Sequence, residues 1–296
     1  MKPALAAGLV AVVALPLAAW LARPGGGGGG STAVLLPATT TSSPQLSRQP
    51  PAPPRDALVL AGEAGPYAVA LAVEPRRLEA IVLSPEGGGA KGIEVSVNGD
   101  VTTDCGSGCW AASGPHGRVV SVLVAHEIVM FEIPAHPTPA AALVRRERAL
   151  YRALAGVTYR ERLASGQGGL TVSTWRLERP DRFTYAIPHG AQAVVIGTHR
   201  WDRSSPRDRW VESPQLPRLP QPAAQWRHAT NAWLLEPGVV AFADPSIPAY
   251  FQLEFDPHTL RPRLLRMTAA AHFMTDRYVS FAPARSIRAP RRAAGG

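Results

Sequence analysis

Short β-rich runs separated by turn residues follow one another from residue 57 to residue 287, and this succession constrains the fold more than any other feature. The runs are rich in Val, Ile, Leu, Tyr and Trp, whereas Gly, Pro, Asn and Asp lie between them. The chain has 27 Gly and 30 Pro among its 296 residues, together well above the usual share of about 12 %. The pattern excludes a helical bundle and a collagen-like repeat, and it predicts a mainly β protein.

Residues 57–136 are predicted to form a small immunoglobulin-like β-sandwich. They contain about six short strands bounded by Gly, Pro and Asn turns, which is typical of such a sandwich. The alternating residues Ile93, Val95 and Val97 are followed by Asn98-Gly99, a strong signal for a β-hairpin.

Residues 137–290 are predicted to form one helix and a curved antiparallel half-barrel. The helix spans 137–156, with Thr138 as its cap, Pro139 in its first turn and Gly156 at its exit. Its expected apolar face consists of Leu143, Leu150, Tyr151 and Leu154. The rest of the helix is basic through Arg145, Arg146, Arg148 and Arg152, which predicts either a solvated face or contact with anionic lipid headgroups. The strands that follow would curve into an open sheet with the helix against its concave face.

The N-terminal region predicts location. Residues 4–22 are apolar and uncharged, and a helix of this length spans about 28 Å, enough to cross a bilayer. No clear small-x-small cleavage pair follows, so residues 1–23 are predicted to be an uncleaved membrane anchor rather than a cleaved signal peptide. Residues 24–56 are rich in Gly, Ser, Thr and Pro and predict a disordered linker, and residues 291–296 a disordered tail. The folded domains would then be extracytoplasmic, with secretion as the alternative.

Cys105 and Cys109 are the only two cysteines, in the sequence Cys-Gly-Ser-Gly-Cys. The short glycine-containing spacing allows the two sulfurs to meet, and in an exported protein a structural disulfide is the favoured state. A redox pair and half of a metal site are the alternatives, although no second cysteine pair is present to complete a zinc site.

Catalytic and nucleic-acid functions are not predicted. The sequence has no Gly-x-Ser-x-Gly elbow and no paired carboxylates suited to acid–base work. The formal net charge is +9, but the basic residues are dispersed, and an exported domain does not meet nucleic acid. We therefore expect a protein that is not an enzyme.

Several segments in one order resemble the half-barrel of the bacterial lipoprotein carriers and the lipid-binding lipoproteins of mycobacteria. They are Ala140–Leu154, Tyr159–Gly166, Arg179–Tyr185, His189–Gly197, Tyr250–Leu260 and Phe273–Phe281 with Ser286–Pro290. The resemblance implies that the concave sheet and the helix enclose a lipid, an acyl chain or another apolar ligand, without a cofactor. Bulky residues chosen by their strand position are the candidates for the lining: Trp175, Tyr185, Trp201, Trp233, Phe251 and Phe273.

Other segments resemble the extracytoplasmic C-terminal region of actinobacterial copper-transport and copper-resistance membrane proteins. They are Asp104–Trp110, Thr198–Arg203 and Met267–Tyr278. This resemblance implies copper handling in the cell envelope. His272 and Met274 are the candidate ligands because residues two apart face the same side of a strand, and Met267 is able to join them; a core or cavity-lining role is the other interpretation. A third expectation is an interaction module without a small ligand, which binds an envelope protein.

Overall fold

The fold is described from a computed structural model, which covers residues 50–165, 168–282 and 286–290. The predicted anchor, the linker up to residue 49 and the predicted tail lie outside the described residues. Within the described ranges, no helix is long and apolar enough to cross a membrane.

The described residues form three antiparallel sheets and one helix, which confirms the mainly β fold class. The inner sheet has the order β1 (Leu58–Ala64), β2 (Tyr67–Glu74), β3 (Arg77–Leu83), β7 (Cys109–Ser113), β6 (Thr103–Gly106). The outer sheet has the order β5 (Asp100–Val101), β4 (Val95–Val97), β8 (Val119–Val124), β9 (Glu127–Glu132). The large sheet has the order β10 (Thr138–Pro139), β17 (Thr230–Glu236), β18 (Val239–Asp244), β19 (Ala249–Phe255), β20 (Pro262–Ala269), β21 (His272–Ser280), β11 (Gly156–Ser165), β12 (Leu170–Glu178), β13 (Arg182–Ala186), β14 (Gln192–Ile196), β15 (His199–Arg203), β16 (Val211–Pro214).

The inner and outer sheets form the predicted sandwich. Side chains such as Val69 and Leu71 of the inner sheet share one buried core with Val120 and Val122 of the outer sheet. Residues 98 and 99 form the β4–β5 turn with φ of 55° and 82°, the left-handed geometry that Asn-Gly favours. The inner sheet begins with a three-strand meander, so the likeness to an immunoglobulin domain is one of architecture and not of strand order.

The inner sheet is also buried on its second face. Ala68, Ala70 and Ala72 alternate with the larger sandwich-core residues of β2, and their exposed fractions are 0 %, 0 % and 1 %. They share a second core cluster with Tyr250 and Phe273 of the large sheet. Because alanine is small, the two sheets approach closely along this strand. The inner sheet is therefore the middle layer between the outer sheet and the large sheet.

The large sheet is open, because its end strands β10 and β16 do not pair with each other. One surface, which we call the sandwich face, packs against the inner sheet and includes Tyr250. The other surface, which we call the helix face, includes Phe251 and its cross-strand partner Phe242. Phe242 contacts Trp226, which in turn contacts Tyr151 of the helix, so the helix lies on this side of the sheet.

Helix α1 (Ala141–Ala153) is shorter than predicted and buries a different face. Its first flanking residue, Ala140, offers no side-chain cap, because Thr138 and its neighbour belong to strand β10, which pairs with β17. The buried residues are Val144, Glu147 and Tyr151. Of the predicted packed face, Tyr151 is buried as expected, whereas the prediction of Leu143, Leu150 and Leu154 was wrong, and Leu150 is 42 % exposed.

Candidate ligand-binding site on the helix face

An irregular segment covers the centre of the helix face. Residues 215–229, which we call the plug, connect β16 to β17 and contain neither helix nor strand. Trp226 of the plug is fully buried, with its ring centroid 5.5 Å from that of Tyr151 and 6.5 Å from that of Phe242. The plug therefore joins α1 to strand β18 through one aromatic side chain.

Carboxyl groups of the surrounding elements hold the plug in place. Trp226 Nε1 donates a hydrogen bond of 2.9 Å to Glu147 Oε2 of α1. Gln225 Nε2 donates one of 3.1 Å to Asp276 Oδ2 of β21, and the backbone N–H of His228 donates to Asp244 Oδ2 at 3.2 Å. All three polar contacts come from residues 225–228, so they hold the C-terminal part of the plug.

Three of the carboxyl groups on the helix face are buried away from water: Glu147, Glu161 and Asp276. Burial raises the pKa of Glu147 to about 8, although the hydrogen bond from Trp226 and the Arg148 charge lower it. Glu161 and Asp276 are cross-strand partners. Burial raises the pKa of both, and the Glu161 charge raises that of Asp276 further. Glu147 at neutral pH is therefore largely protonated, which suits an apolar interior.

Two of these carboxyl groups keep one oxygen without a partner. Within the described residues, Glu147 Oε1 and Asp276 Oδ1 are buried and make no hydrogen bond. A buried polar atom without a partner is uncommon and costs free energy. The interior of the helix face therefore has unused hydrogen-bonding capacity beside the plug.

A layer of aromatic rings lies next to the carboxyl groups. The ring of Trp175 is 6.1 Å from that of Tyr159 and 5.1 Å from that of Tyr185. Tyr278 lies 5.5 Å from Tyr159 and 6.0 Å from Tyr151. Burial raises the pKa of both Tyr159 and Tyr278, so their hydroxyl groups stay protonated and polar on an otherwise apolar surface.

The six predicted lining residues do not share one surface. Trp175 and Tyr185 are cross-strand partners on the helix face, and Phe251 pairs with Phe242 there. The other three lie on the sandwich face: Trp201, Trp233 and Phe273. Phe273 packs against the inner sheet, and Trp233 Nε1 donates a hydrogen bond of 3.0 Å to the carbonyl oxygen of Ala57. Successive residues of a strand point to opposite faces of the sheet. The position in the strand and the size of a side chain do not show to which of the two faces that side chain points.

The helix face is filled by the protein's own side chains. Phe183, Trp226, Phe242, Leu253 and Leu265 are each 0 % exposed. The expectation of an open concave trough therefore needs correction: in this structure the plug and α1 occupy its centre. Trp226 was not among the predicted lining residues, because a proline-rich irregular segment has no periodicity that assigns a side to its residues.

Two open pockets adjoin this core. One, of about 460 Å³, lies between α1 and the plug and is lined by Arg148, Arg152, Pro220, Pro222, Ala223, Ala224, Arg227 and His228. The other, of about 640 Å³, is lined by residues of β1 and β9 of the sandwich and of β17–β21 of the large sheet. The second pocket carries charges of both signs, among them Glu63, Arg118 and Arg266.

The candidate copper ligands lie on adjacent strands of the large sheet. Met274 is directly opposite Met267, and His272 lies two residues before Met274 on the same face. His272 Nδ1 is 2.9 Å from the carbonyl oxygen of Ala270, a contact that leaves Nε2 as the other available ring nitrogen.

Cys105 and Cys109 are joined by a disulfide, which confirms the favoured interpretation of this pair. In the part of the chain that the structure describes, one group of three His, Cys, Asp or Glu side chains is close enough to hold a metal ion: Glu79, Cys105 and Cys109. Because both sulfurs are in the disulfide, they are not available as thiolate ligands.

Comparisons with known proteins include a distant likeness to a solved structure. No family model and no curated protein matches the chain. A crystal structure of a LolA superfamily protein from Nitrosomonas europaea matches with 9 % sequence identity and a TM-score of 0.24, over 46 % of this chain and 91 % of that chain. This match is a distant resemblance over less than half of the chain, and the predicted likeness to copper-transport proteins gains no support from the comparisons.

Proposed function

We propose that this protein is a non-catalytic binding protein that takes up a lipid, an acyl chain or another apolar ligand on the helix face of its half-barrel. The burial of Trp226 supports this proposal most directly. An irregular segment inserts one large aromatic side chain into the centre of a curved sheet, at a place where regular elements leave a space to be filled. A ligand that displaced this side chain would meet the same apolar surroundings.

Uptake requires that the ligand replaces the burial that Trp226 provides. A buried methylene contributes about 0.8 kcal/mol, so a chain of about a dozen methylenes offsets the loss of one tryptophan contact and its hydrogen bond. The plug lies outside the helix and the strands, and its backbone hydrogen bonds to neighbouring segments include those from Gln215 N–H to the carbonyl oxygen of Thr198 and from Gln221 N–H to that of Pro180. Its polar contacts to Glu147 and Asp276 can be replaced by a ligand hydroxyl, ester or amide group.

The disulfide supports an extracytoplasmic location for the folded domains, because such bonds persist in oxidising compartments. We include in the proposal that residues 1–23 anchor the protein in the cell membrane, which would place the half-barrel near a source of lipid. Immunoblotting of membrane and soluble fractions, with and without residues 1–23, tests this part. Equal amounts of both forms in the soluble fraction would contradict it.

Native mass spectrometry of the full chain purified in mild detergent tests the ligand directly. We expect co-purifying lipid mass, and saturable binding of the neutral apolar dye N-phenyl-1-naphthylamine. Trp226→Ala enlarges the interior and should bind the dye more tightly than the wild-type protein. Trp201→Ala removes a tryptophan from the sandwich face and is the matched control with unchanged binding. If none of these proteins binds lipid or dye, the proposal is overturned.

Copper binding is a second candidate, favoured by the register that sets Met267 opposite Met274 with His272 on the same face. Thioether and imidazole ligands suit Cu(I). The full chain loaded with Cu(I) should retain one equivalent of metal, and His272→Ala should lose it. Unchanged stoichiometry in the variant would exclude this site.

A further inference from the structure

A basic pocket opens directly beside the plug. It measures about 460 Å³, and its rim carries Arg148, Arg152 and Arg227. We propose that these three arginines bind the anionic headgroup, a phosphate or a carboxylate, of an amphipathic ligand whose apolar part enters the helix face. This inference rests on the proposed function and specifies the class of its ligand.

The positions of the arginines suit an anion. Arg148 and Arg152 are four residues apart on α1, so they lie on the same face of the helix. Arg152 and Arg227 are exposed, and among the described residues the ion pairs include neither of them. Guanidinium groups bind phosphate and carboxylate through paired hydrogen bonds, which makes them the most suitable side chains for this purpose.

Apart from His228, the remaining lining consists of prolines and alanines. Pro220, Pro222, Ala223 and Ala224 form an apolar wall on the plug side. Two buried carboxyl groups adjoin lining residues: Glu147 precedes Arg148 in sequence, and Asp244 accepts the backbone N–H of His228, but neither is part of the pocket lining. Because its pKa is raised to about 8, Glu147 contributes little negative charge at neutral pH. A headgroup in the pocket would therefore meet positive charge and apolar surface together.

The pocket is connected to the interior through adjacent residues. Arg148 follows Glu147, and Arg227 follows Trp226, so each partner of the buried Trp226–Glu147 hydrogen bond has a rim arginine beside it. Arg148 Nη1 also donates a hydrogen bond to the carbonyl oxygen of Arg227. An anion that binds Arg148 competes with this carbonyl and removes one of the contacts that hold the plug closed.

Three probes separate the headgroup from the chain: decyl phosphate, 1-decanol and inorganic phosphate. Decyl phosphate is titrated into the full-length protein below its critical micelle concentration and 1-decanol below its solubility limit, both by displacement of N-phenyl-1-naphthylamine. Binding of inorganic phosphate is measured by calorimetry. We expect decyl phosphate to bind at least about tenfold more tightly than decanol. The double variant Arg152→Gln/Arg227→Gln should lose this preference. The matched control Arg145→Gln/Arg146→Gln removes the same charge from exposed positions outside the pocket and should keep it.

The outcomes distinguish the two proposals. Equal affinity for decyl phosphate and decanol, unchanged in the pocket variant, would overturn the headgroup site and leave the apolar-ligand function standing. Binding of inorganic phosphate without binding of either amphiphile would support the anion site, with a free anion as its ligand, and overturn the apolar-ligand function. Loss of the preference in both double variants would show general charge attraction and overturn the assignment to this pocket.

Discussion

Trp226 donates a hydrogen bond to Glu147 across 79 positions of sequence, and neither side chain is more than 1 % exposed. The pair links the only helix of the described residues to the irregular segment between β16 and β17. It also explains why a glutamate faces the sheet where a leucine was expected. We expect this one contact to affect the stability of the protein, the pH dependence of that stability and the proposed binding.

Removal of the tryptophan side chain should weaken the fold. Trp226→Ala takes away a fully buried ring and leaves Glu147 without its donor, so we expect a loss of about 3–5 kcal/mol in the free energy of unfolding. Urea denaturation followed by circular dichroism measures it. Trp201→Ala, at a partly exposed position, should cost clearly less. Equal losses in the two variants would contradict the central position of Trp226.

Glu147→Gln should change the dependence of stability on pH. Because the pKa of Glu147 is raised to about 8 in the folded protein from an ordinary value of 4.5, the folded state holds the proton more tightly than the unfolded state. The contribution of Glu147 to the free energy of unfolding is therefore fully present below pH 4.5. It falls as pH rises towards 8, by up to about 1.4 kcal/mol per pH unit.

The glutamine variant keeps the shape and accepts the same hydrogen bond but does not ionise. Urea denaturation at pH 5 and pH 8 should show the variant gaining roughly 2–4 kcal/mol relative to the wild-type protein between the two conditions. A difference between the two proteins that stays constant over this interval would show that burial does not suppress the ionisation of Glu147.

Ala70→Leu should disturb the contact between the inner and large sheets. Ala70 is fully buried in the core that these sheets share, and overpacking of such a site costs about 1–3 kcal/mol. Ala142→Leu, at an exposed position of α1, is the control with little expected change. If the two substitutions have the same small effect on urea denaturation, the sheets are not closely packed at β2.

The disulfide should stabilise the sandwich modestly. Cys105 and Cys109 are four positions apart, and closing so short a loop stabilises by about 2 kcal/mol. The double variant Cys105→Ser/Cys109→Ser should lose this amount in denaturation experiments and should still bind the apolar dye. A variant that lost dye binding while it remained folded would connect the disulfide to the ligand site, contrary to the present structure.

The strands were predictable because their signals are local. Alternating β-branched residues and turn residues such as Asn98-Gly99 need no knowledge of distant contacts. The face to which each strand residue points was harder to predict: Trp175 and Trp201 both lie in predicted strands, yet they are on opposite faces of the large sheet. The position of the inner sheet as the middle layer could be seen only in the tertiary structure. Its one trace in the sequence is the uninterrupted apolar run of β2.

The helix and the site were less predictable for the same reason. Glu147 is buried only because a donor 79 residues away satisfies it, and no helical periodicity reveals such a partner. Trp226 lies among prolines and alanines, where hydrophobic patterns assign no face. The basic rim, in contrast, could be predicted in part, because the arginines of the helix are evident in the sequence. The contribution of Arg227 could not be predicted.

The alanine-lined contact along β2 also limits how the molecule can open. Sheets that meet through such small side chains cannot rotate against each other without steric clashes and the exposure of dry surface on both sides. A ligand of the proposed kind would therefore enter from the side opposite the sandwich, where the irregular plug is the part of the chain to be displaced.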